Sequence, residues 1–434
     1  MTQDLSRNAN RFITFSVFFT ARAYYPVLAI LFLDLGLTLD QFVFLNLIWA
    51  LTIFLFEVPS GALADTFGRK KLLVAASLLM VIEMLCLLFA PTNGGALLLA
   101  LCVINRICSG LSEACASGAD EALAYDSLPQ EDRASAWDKL LARVMRWRSA
   151  GFVVAMIIGG VLYDADTINS ILPISLHLTD QTAHRLPVLL VLLQALVCVF
   201  ISLRMQEPEH EPKHGPEHHN AGATITDAIK LVVSTARWVF TTPVTLVVIL
   251  IGVALDSIVR NFATITSSYY RLIELPAWTY GFLGAAMGLF GWFVPGIAKR
   301  LNARFSMLTN LALIAVMTLI SLAALVPAWP IYGAIPTLLL MSMMGFLAFT
   351  VSRVLHEQAD SARRATVLSV KGLVFNLGYG LFSLGFSALL ASFPDSPEGA
   401  SMRNALLWQI PFFAVVTTAL FCWAYFKLRA RAND

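Results

Sequence analysis

With 434 residues, 58% hydrophobic and only 13% charged, and a mean hydropathy of +0.73, the chain is too apolar for a soluble globular fold. Its net charge of +2 comes from basic residues scattered at the ends of apolar runs, which excludes a nucleic-acid groove, since phosphates need a continuous stripe of cations. The runs are long and unbroken rather than alternating, which excludes a transmembrane β-barrel and leaves an all-α membrane protein.

Each helix must cross about 30 Å of hydrocarbon with roughly 20 residues. Spans are predicted at 11–35, 41–60, 72–91, 95–118, 139–163 and 186–204, then at 244–272, 278–298, 305–326, 331–353, 365–391 and 404–428. Ala21-Arg22-Ala23 near the start resembles a signal-peptide cleavage site, but the apolar run continues to Leu37 and is expected to remain as the first span. Between the sixth and seventh spans, Gln206 to Asn220 is rich in Pro, Glu and His; it is too polar to pack and reads as a linker. The expected organisation is an N-terminal six-helix bundle (1–204), a cytoplasmic linker (205–236) and a C-terminal six-helix bundle (237–434).

Lys and Arg in short loops hold those loops on the cytoplasmic side during insertion. One side carries Arg7, Arg11, Arg69-Lys70-Lys71, 133–148, the linker, 299–304, 353–371 and 427–431. The other has Arg185, Arg271 and Arg403 among Asp34, Asp40, Asp164, Asp166, Asp180, Asp395 and Glu398. A multi-pass protein of the cell inner membrane with both termini in the cytoplasm is expected.

The halves look duplicated. GALADTFGRKK at 61–71 matches GIAKRLNARFS at 296–306, 235 positions on, and the same offset lays Gly110 over Gly345. Inverted or parallel repeats of this kind are common in transporters. The second copy is degenerate, with Arg300 where the first has Asp65, so the halves need not share roles.

Gly61-Ala-Leu-Ala-Asp65-Thr-Phe-Gly68-Arg69-Lys70-Lys71, between spans 2 and 3, resembles the loop signature G-x-L-a-D-r-x-G-r-k of the major facilitator superfamily, and Glu57-Val58-Pro59-Ser60 before it extends a pattern seen in many bacterial members. The resemblance implies two pseudo-symmetric six-helix bundles that move a solute by alternating access. Physically, the glycines let helix ends approach, Asp65 can face the positive end of a neighbouring helix, and Arg69 can pair with acids. Each contact is worth about 1 kcal/mol at a wet surface, which suits a latch. Lys70 and Lys71 serve as topology signals.

In span 4, Arg106-Ile-Cys-Ser-Gly110 resembles the R-x-x-x-G signature of drug-proton antiporters. An Arg at this depth must face a cavity or a carboxylate, or satisfy backbone carbonyls, and Glu113 lies two turns on along the same helix face, about 10 Å away. The antiporter signature of span 5 fails, because Gly151-Phe-Val-Val-Ala155-Met156-Ile-Ile-Gly159-Gly160 has Ala155-Met156 where the family has Gly-Pro. Close packing at Gly159-Gly160 is kept and the proline kink is lost, so proton-driven export is not implied by the family alone.

Other intramembrane charges are functional candidates because each needs a partner or water. Spans 1, 4, 7 and 10 line the cavity in this superfamily, so the resemblance places Arg22, Arg106, Glu113, Asp256 and Arg260 around it. Asp256 and Arg260 are also an i,i+4 pair able to satisfy each other. Glu83 in span 3 is equally a packing partner or a proton carrier. Asp120, Glu121 and Asp126 end span 4 opposite Arg143, Arg146 and Arg148; Glu121, at the helix end, is expected to pair, adding it to the gating residues Gly61, Asp65, Gly68 and Arg69. Met341, Met343 and Met344 can touch an apolar solute or fill packing gaps.

All six cysteines fall in apolar runs, so no disulfide is expected. His210, His214, His218 and His219 of the linker are too flexible for a dedicated metal site. Nucleotide-binding, zinc-protease and serine-hydrolase signatures are missing, so the chain is expected not to be an enzyme and to need no cofactor. The reading is a secondary active transporter, proton-coupled and exporting a drug or metabolite. It would act as a monomer in the bilayer with a small solute and protons as partners, without nucleic acid. The alternatives are an uptake carrier or facilitator for a small organic solute, or a non-transporting sensor.

Overall fold

The computed structural model describes residues 7–92, 94–129, 131, 133–207, 221–358, 364–393 and 398–433. Among them twelve helices are long and apolar enough to cross a membrane: span 1 Asn8–Asp34, span 2 Leu39–Gly61, span 3 Arg69–Leu88, span 4 Ala96–Asp126, span 5 Ser135–Tyr163 and span 6 Asp180–Arg204, then span 7 Pro243–Leu272, span 8 Ala277–Arg304, span 9 Met307–Leu325, span 10 Ala334–Gln358, span 11 Thr366–Ala391 and span 12 Gly399–Arg429. Helices satisfy their backbone groups internally, which lipid requires. Exposed side chains along the spans are often large and apolar, such as Leu55, Phe89, Phe293 and Phe412, while Asn105, Ser112, Asn261 and Thr337 are buried.

Span 1 departs from the single helix predicted. It breaks after Thr20, passes through a short 3₁₀ turn at Tyr25–Val27 and resumes at Leu28–Asp34. Pro26 lacks an N–H, and its ring would collide with the carbonyl of Arg22 in a continuous helix. The break sets Arg22 in non-helical backbone. Span 5 closes onto it through Gly159, where an added Cβ would lie 1.6 Å from the carbonyl oxygen of Ala23.

The halves meet along spans 5 and 8, along spans 2 and 11, and where the resumed part of span 1 lies against span 7. Spans 5 and 8 touch backbone to backbone at Gly160 and Gly281 and continue through Phe152 and Gly288. Spans 2 and 11 touch at Gly380, beside Leu47 and Ala50, and at Trp49 with Tyr379, edge-on at 6.3 Å. The duplication also appears in packing: Gly110 presses span 4 against Thr52 of span 2, and Gly345 presses span 10 against Val294 of span 8.

The linker holds more structure than predicted. A helix at Ala221–Thr241 runs past position 236 and packs against spans 2, 7 and 11. Val239 and Thr235 are its buried face, and Ile229, Val233 and Phe240 are exposed. The four linker histidines lie outside the described residues, as does Asp395.

Candidate functional site

The central site is built where spans 1, 5, 7, 8 and 10 converge. A cavity of about 240 Å³ is lined from the N-terminal half by Tyr25, Pro26, Leu28, Phe152 and Met156, and from the C-terminal half by Arg260, Thr264, Ser267, Tyr270 and Met341, among others. Its wall is mainly apolar, with few polar groups, the usual make-up of a small-molecule site. Ser267 Oγ accepts from the backbone N–H of Ala29 and Ile30 at 2.9 and 3.3 Å, tying span 7 to the resumed part of span 1.

Arg260 is the predicted residue that lines this cavity directly. Its guanidinium pairs with Asp256 at 2.7 Å, donates to Asn376 Oδ1 at 2.8 Å and stands 5.4 Å from the Tyr379 ring centre. The i,i+4 geometry therefore satisfies the pair on one helix, with span 11 as support. Lys371, counted with the loop charges in the sequence, sits inside span 11 with Nζ 4.8 Å from the Phe375 ring, close enough to Asp256 and Arg260 to feel both.

Arg22 does not face the solute space directly. It is 2% exposed, and its Nη1 donates to both oxygens of Glu83 at 2.7 Å. The hydroxyl of Tyr24 donates to the same carboxylate at 2.9 Å. Glu83 is wholly buried, so it is the partner that holds the broken span against span 3.

Arg106 and Glu113, two turns apart on one helix, form no ion pair with each other among the described residues. Arg106 is 5% exposed, donates from Nε to Asn105 at 3.0 Å and lies 4.7 Å from the Phe32 ring centre. Glu113 is exposed and is electrostatically linked to Glu57, Arg22 and Tyr25. The seven-residue spacing turns the face by only about 20°; what separates the two is about 10 Å along the helix axis, which leaves Arg106 among packed side chains and Glu113 exposed. Met341 lines the cavity and Met343 is buried.

At the face bearing the chain termini, Arg69 donates to the carbonyl of Ala122 at 3.0 Å and forms a short ion pair with Asp126. Arg133 approaches the other oxygen of Asp126 at 4.0 Å. Glu121, the carboxylate expected to pair, is exposed, and its N–H donates to Asp120 Oδ1 at 2.7 Å. The break at Ser117-Gly118 within span 4 and the short helix Ala119–Asp126 beyond it aim Asp126, rather than Glu121, at the loop between spans 2 and 3. Gly68 has φ +98°, a value that favours glycine. Gly61, expected to bring helix ends together, has open space where a Cβ would go. The side chain of Asp65 lies outside the described residues. The anion at the start of span 3 is Glu207, which accepts from the N–H groups of Arg69 and Lys70 at 2.9 and 2.7 Å, where the helix dipole favours negative charge.

At the opposite, distal face the halves are tied by Asp34 and Arg271, by the N–H of Trp278 donating to Asp164 at 3.2 Å and by Ser387 donating to the carbonyl of Asp40 at 2.9 Å. In the sequence Asp34 and Arg271 bear on orientation alone, because nothing in either loop signals a partner 237 residues away. Glu57 and Lys371 were findable, since each is a charge inside a predicted span or at its edge.

Twelve spans in two halves, with a cavity between them lined from both sides, define a membrane carrier of small solutes. The chain belongs to the Major Facilitator Superfamily, whose family model matches residues 12–383. Solved structures share the fold. A point mutant of the nucleoside transporter NupG aligns with TM-score 0.71 and 10% identity, covering 97% of this chain and 99% of that one. A bacterial homologue of the human lysosomal transporter Spinster, inward-facing and unoccupied, gives 0.69 and 16% with 98% of each covered. A POT family transporter in complex with a thioalcohol-conjugated peptide gives 0.66 and 12%, covering 97% and 96%. No curated protein sequence matches the chain.

Proposed function

We propose that this member of the superfamily is a proton-coupled exporter of a drug or metabolite, working as a monomer by alternating access in the inner membrane with both termini cytoplasmic. The observation that carries the reading is the central cavity: both halves line it, the distal ties of Asp34 and Arg271 close one end, and exposed Glu113 stands toward the other. Such a geometry suits a carrier caught open to the side of its termini. The charge pattern of the loops supports a cytoplasmic assignment for that side.

Glu113 is the coupling candidate, since a carboxylate at a mouth that is alternately wet and closed can load and release a proton. Asp256 is second, because Arg260 holds it in an ion pair. Gly68, Arg69 and the cap from Glu207 form the latch region at the terminal face, and Asp65 keeps its latch role as a proposal. A second reading, an uptake carrier or facilitator, is favoured by Ala155-Met156 in span 5, which departs from the antiporter pattern.

In liposomes, Glu113→Gln is expected to abolish accumulation driven by a pH gradient while leaving solute exchange intact, since exchange moves no net protons. Full accumulation by Glu113→Gln passes the role to Asp256; normal accumulation by both neutralised proteins sinks proton coupling. For orientation, His214→Cys should resist an impermeant maleimide added outside intact cells and Asn169→Cys should label. The reverse pattern overturns the topology.

A further inference from the structure

The charges near the centre of the molecule cancel: Arg22, Arg106, Arg260 and Lys371 are matched in number by Glu57, Glu83, Glu113 and Asp256. Arg260 is the charged residue among those that line the cavity, and its guanidinium is held by Asp256 at 2.7 Å and by Asn376 Oδ1 at 2.8 Å. An ionic solute would have to break that pair or leave its own charge unpaired against an apolar wall, and a buried charge without a counter-ion is costly. Both costs fall away for an uncharged molecule.

The polar groups of the wall differ in what they leave free. Thr264 and Thr266 donate their hydroxyl protons to the carbonyls of Asn261 and Phe262, each at 2.8 Å. The oxygens of Thr264 and Ser267 also accept, from Asn46 Nδ2 at 3.4 Å and from the backbone N–H groups of Ala29 and Ile30. Tyr270 is different: it is 1% exposed, it lines the cavity, and its hydroxyl has no hydrogen-bond partner among the described residues. A buried tyrosine hydroxyl ordinarily finds one, because leaving it without a partner carries the full cost of its desolvation. Arg260 Nε is likewise unpartnered and can only donate. The capacity left over is that of donors, and it calls for an acceptor on the solute.

The body of the solute is set by the rest of the wall. The ring of Tyr270 stands 5.2 Å from that of Tyr280, and Phe152, Met156, Met287 and Met341 line the cavity with them. Thioethers make favourable contacts with aromatic rings, and aromatic side chains take a further ring edge-on or offset. An apolar cavity of roughly 150 Å³ holds a benzene molecule, so one of about 240 Å³ has room for a single ring with a small substituent.

We infer that the solute is an uncharged aromatic compound of one ring that carries a hydrogen-bond acceptor such as a carbonyl. The acceptor takes the Tyr270 O–H, and the ring lies among Phe152, Met156, Met287 and Met341. The inference rests on the carrier reading for its transport role, but it makes a binding claim that is tested separately.

The test compares four probes of one shape, acetophenone, α-methylstyrene, benzoate and benzamidinium, by ligand-detected NMR titration on the detergent-purified full chain, with empty micelles subtracted. Acetophenone is expected to bind about tenfold or more tightly than either ion. Tyr270→Phe should weaken acetophenone by about three- to tenfold, the weight of one neutral hydrogen bond, and leave α-methylstyrene, which has no acceptor, unchanged. Met341→Trp, which fills the cavity, should weaken both. In the wild-type protein the infrared carbonyl stretch of bound acetophenone should lie below its position in an apolar solvent. Tighter binding of benzoate or benzamidinium, equal effects of Tyr270→Phe on acetophenone and α-methylstyrene, or no binding beyond that of empty micelles overturns the inference; an unshifted stretch does so even where Tyr270→Phe fails to fold. Because acetophenone crosses lipid unaided, proton-coupled carriage should show as a protein-dependent collapse of an imposed pH gradient in liposomes, each carried molecule returning by diffusion after a proton has moved the other way. Binding without that collapse leaves the site standing and sinks the proton-coupled carrier reading. Collapse driven by benzamidinium, with acetophenone not bound, does the opposite.

Discussion

Asp34 in span 1 accepts both ends of the Arg271 guanidinium in span 7, from Nη1 at 2.8 Å and Nη2 at 2.6 Å. Tyr163 of span 5 donates a short hydrogen bond to the same carboxylate, and His184, stacked on Tyr163 at 4.2 Å, brings Nδ1 to 3.6 Å. One carboxylate therefore gathers spans 1, 5, 6 and 7 at the distal face. Two-pronged pairing adds directional specificity to the Coulomb attraction, so the pair resists separation of the halves better than a single contact would.

Loss of that pair should favour opening at the distal face. A partly exposed pair contributes about 0.2–1 kcal/mol, so Asp34→Asn should raise the distal-open population by a factor of about 1.4 to 5. In a background with the native cysteines replaced by serine, Thr264→Cys should then react faster with an impermeant maleimide supplied from the distal side. Adding Arg271→Gln should produce little further change, because the partners act as a unit. Equal labelling rates with and without Asp34 would remove its gating role.

The glycines separate into two groups with opposite expected behaviour. At Gly159 and Gly281 an added Cβ would lie 1.6 Å from the carbonyl oxygen of Ala23 and 2.2 Å from that of Met156. Both neighbours are backbone and cannot step aside, so alanine at either site should cost more than the roughly 1–3 kcal/mol of ordinary overpacking. Gly61 and Gly296, equivalent positions of the repeat, have open space at the Cβ position and sit within helices. Alanine there should be neutral or stabilise by about 0.5–1 kcal/mol. Size-exclusion profiles and thermal unfolding check both, and a monodisperse, normally stable Gly159→Ala protein would contradict the packing described.

Glu83→Gln should destabilise the fold, because it strands the buried cation of Arg22. Removing one member of a buried pair costs roughly 3–5 kcal/mol, whereas Glu113→Gln, at an exposed site, should stay within about 0.5 kcal/mol. The double variant Arg22→Gln with Glu83→Gln should be less damaged than Glu83→Gln alone. Comparable unfolding temperatures for Glu83→Gln and Glu113→Gln would mean that the Arg22 pair does not hold span 1.

Membrane class, twelve spans, the duplication and the superfamily were legible because they depend on run length, on charge at helix ends and on a local signature. Each is a property of contiguous residues. Gly159-Gly160 was legible as a packing site for the same reason, but not what it packs against. Glu83 was marked as a possible ion-pair partner and Arg22 as a cavity residue; their joining required the break at Pro26, which turns Arg22 toward span 3. Spacing on a helix suggested that Arg106 and Glu113 act together; they keep nearly the same face, and about 10 Å along the axis separates the buried cation from the exposed anion.

The sequence alone determined that the chain must live in lipid, how often it crosses, and which few residues would carry charge inside. Hydrophobicity and helix length are local, and the bilayer imposes one solution on them. Only the tertiary structure decided which charges neutralise one another, that Asp126 rather than Glu121 meets Arg69, that Glu207 caps span 3, and that Asp34 joins the halves through Arg271. Those pairings are set by how separate helices approach, which follows from packing across seams between residues far apart in the chain.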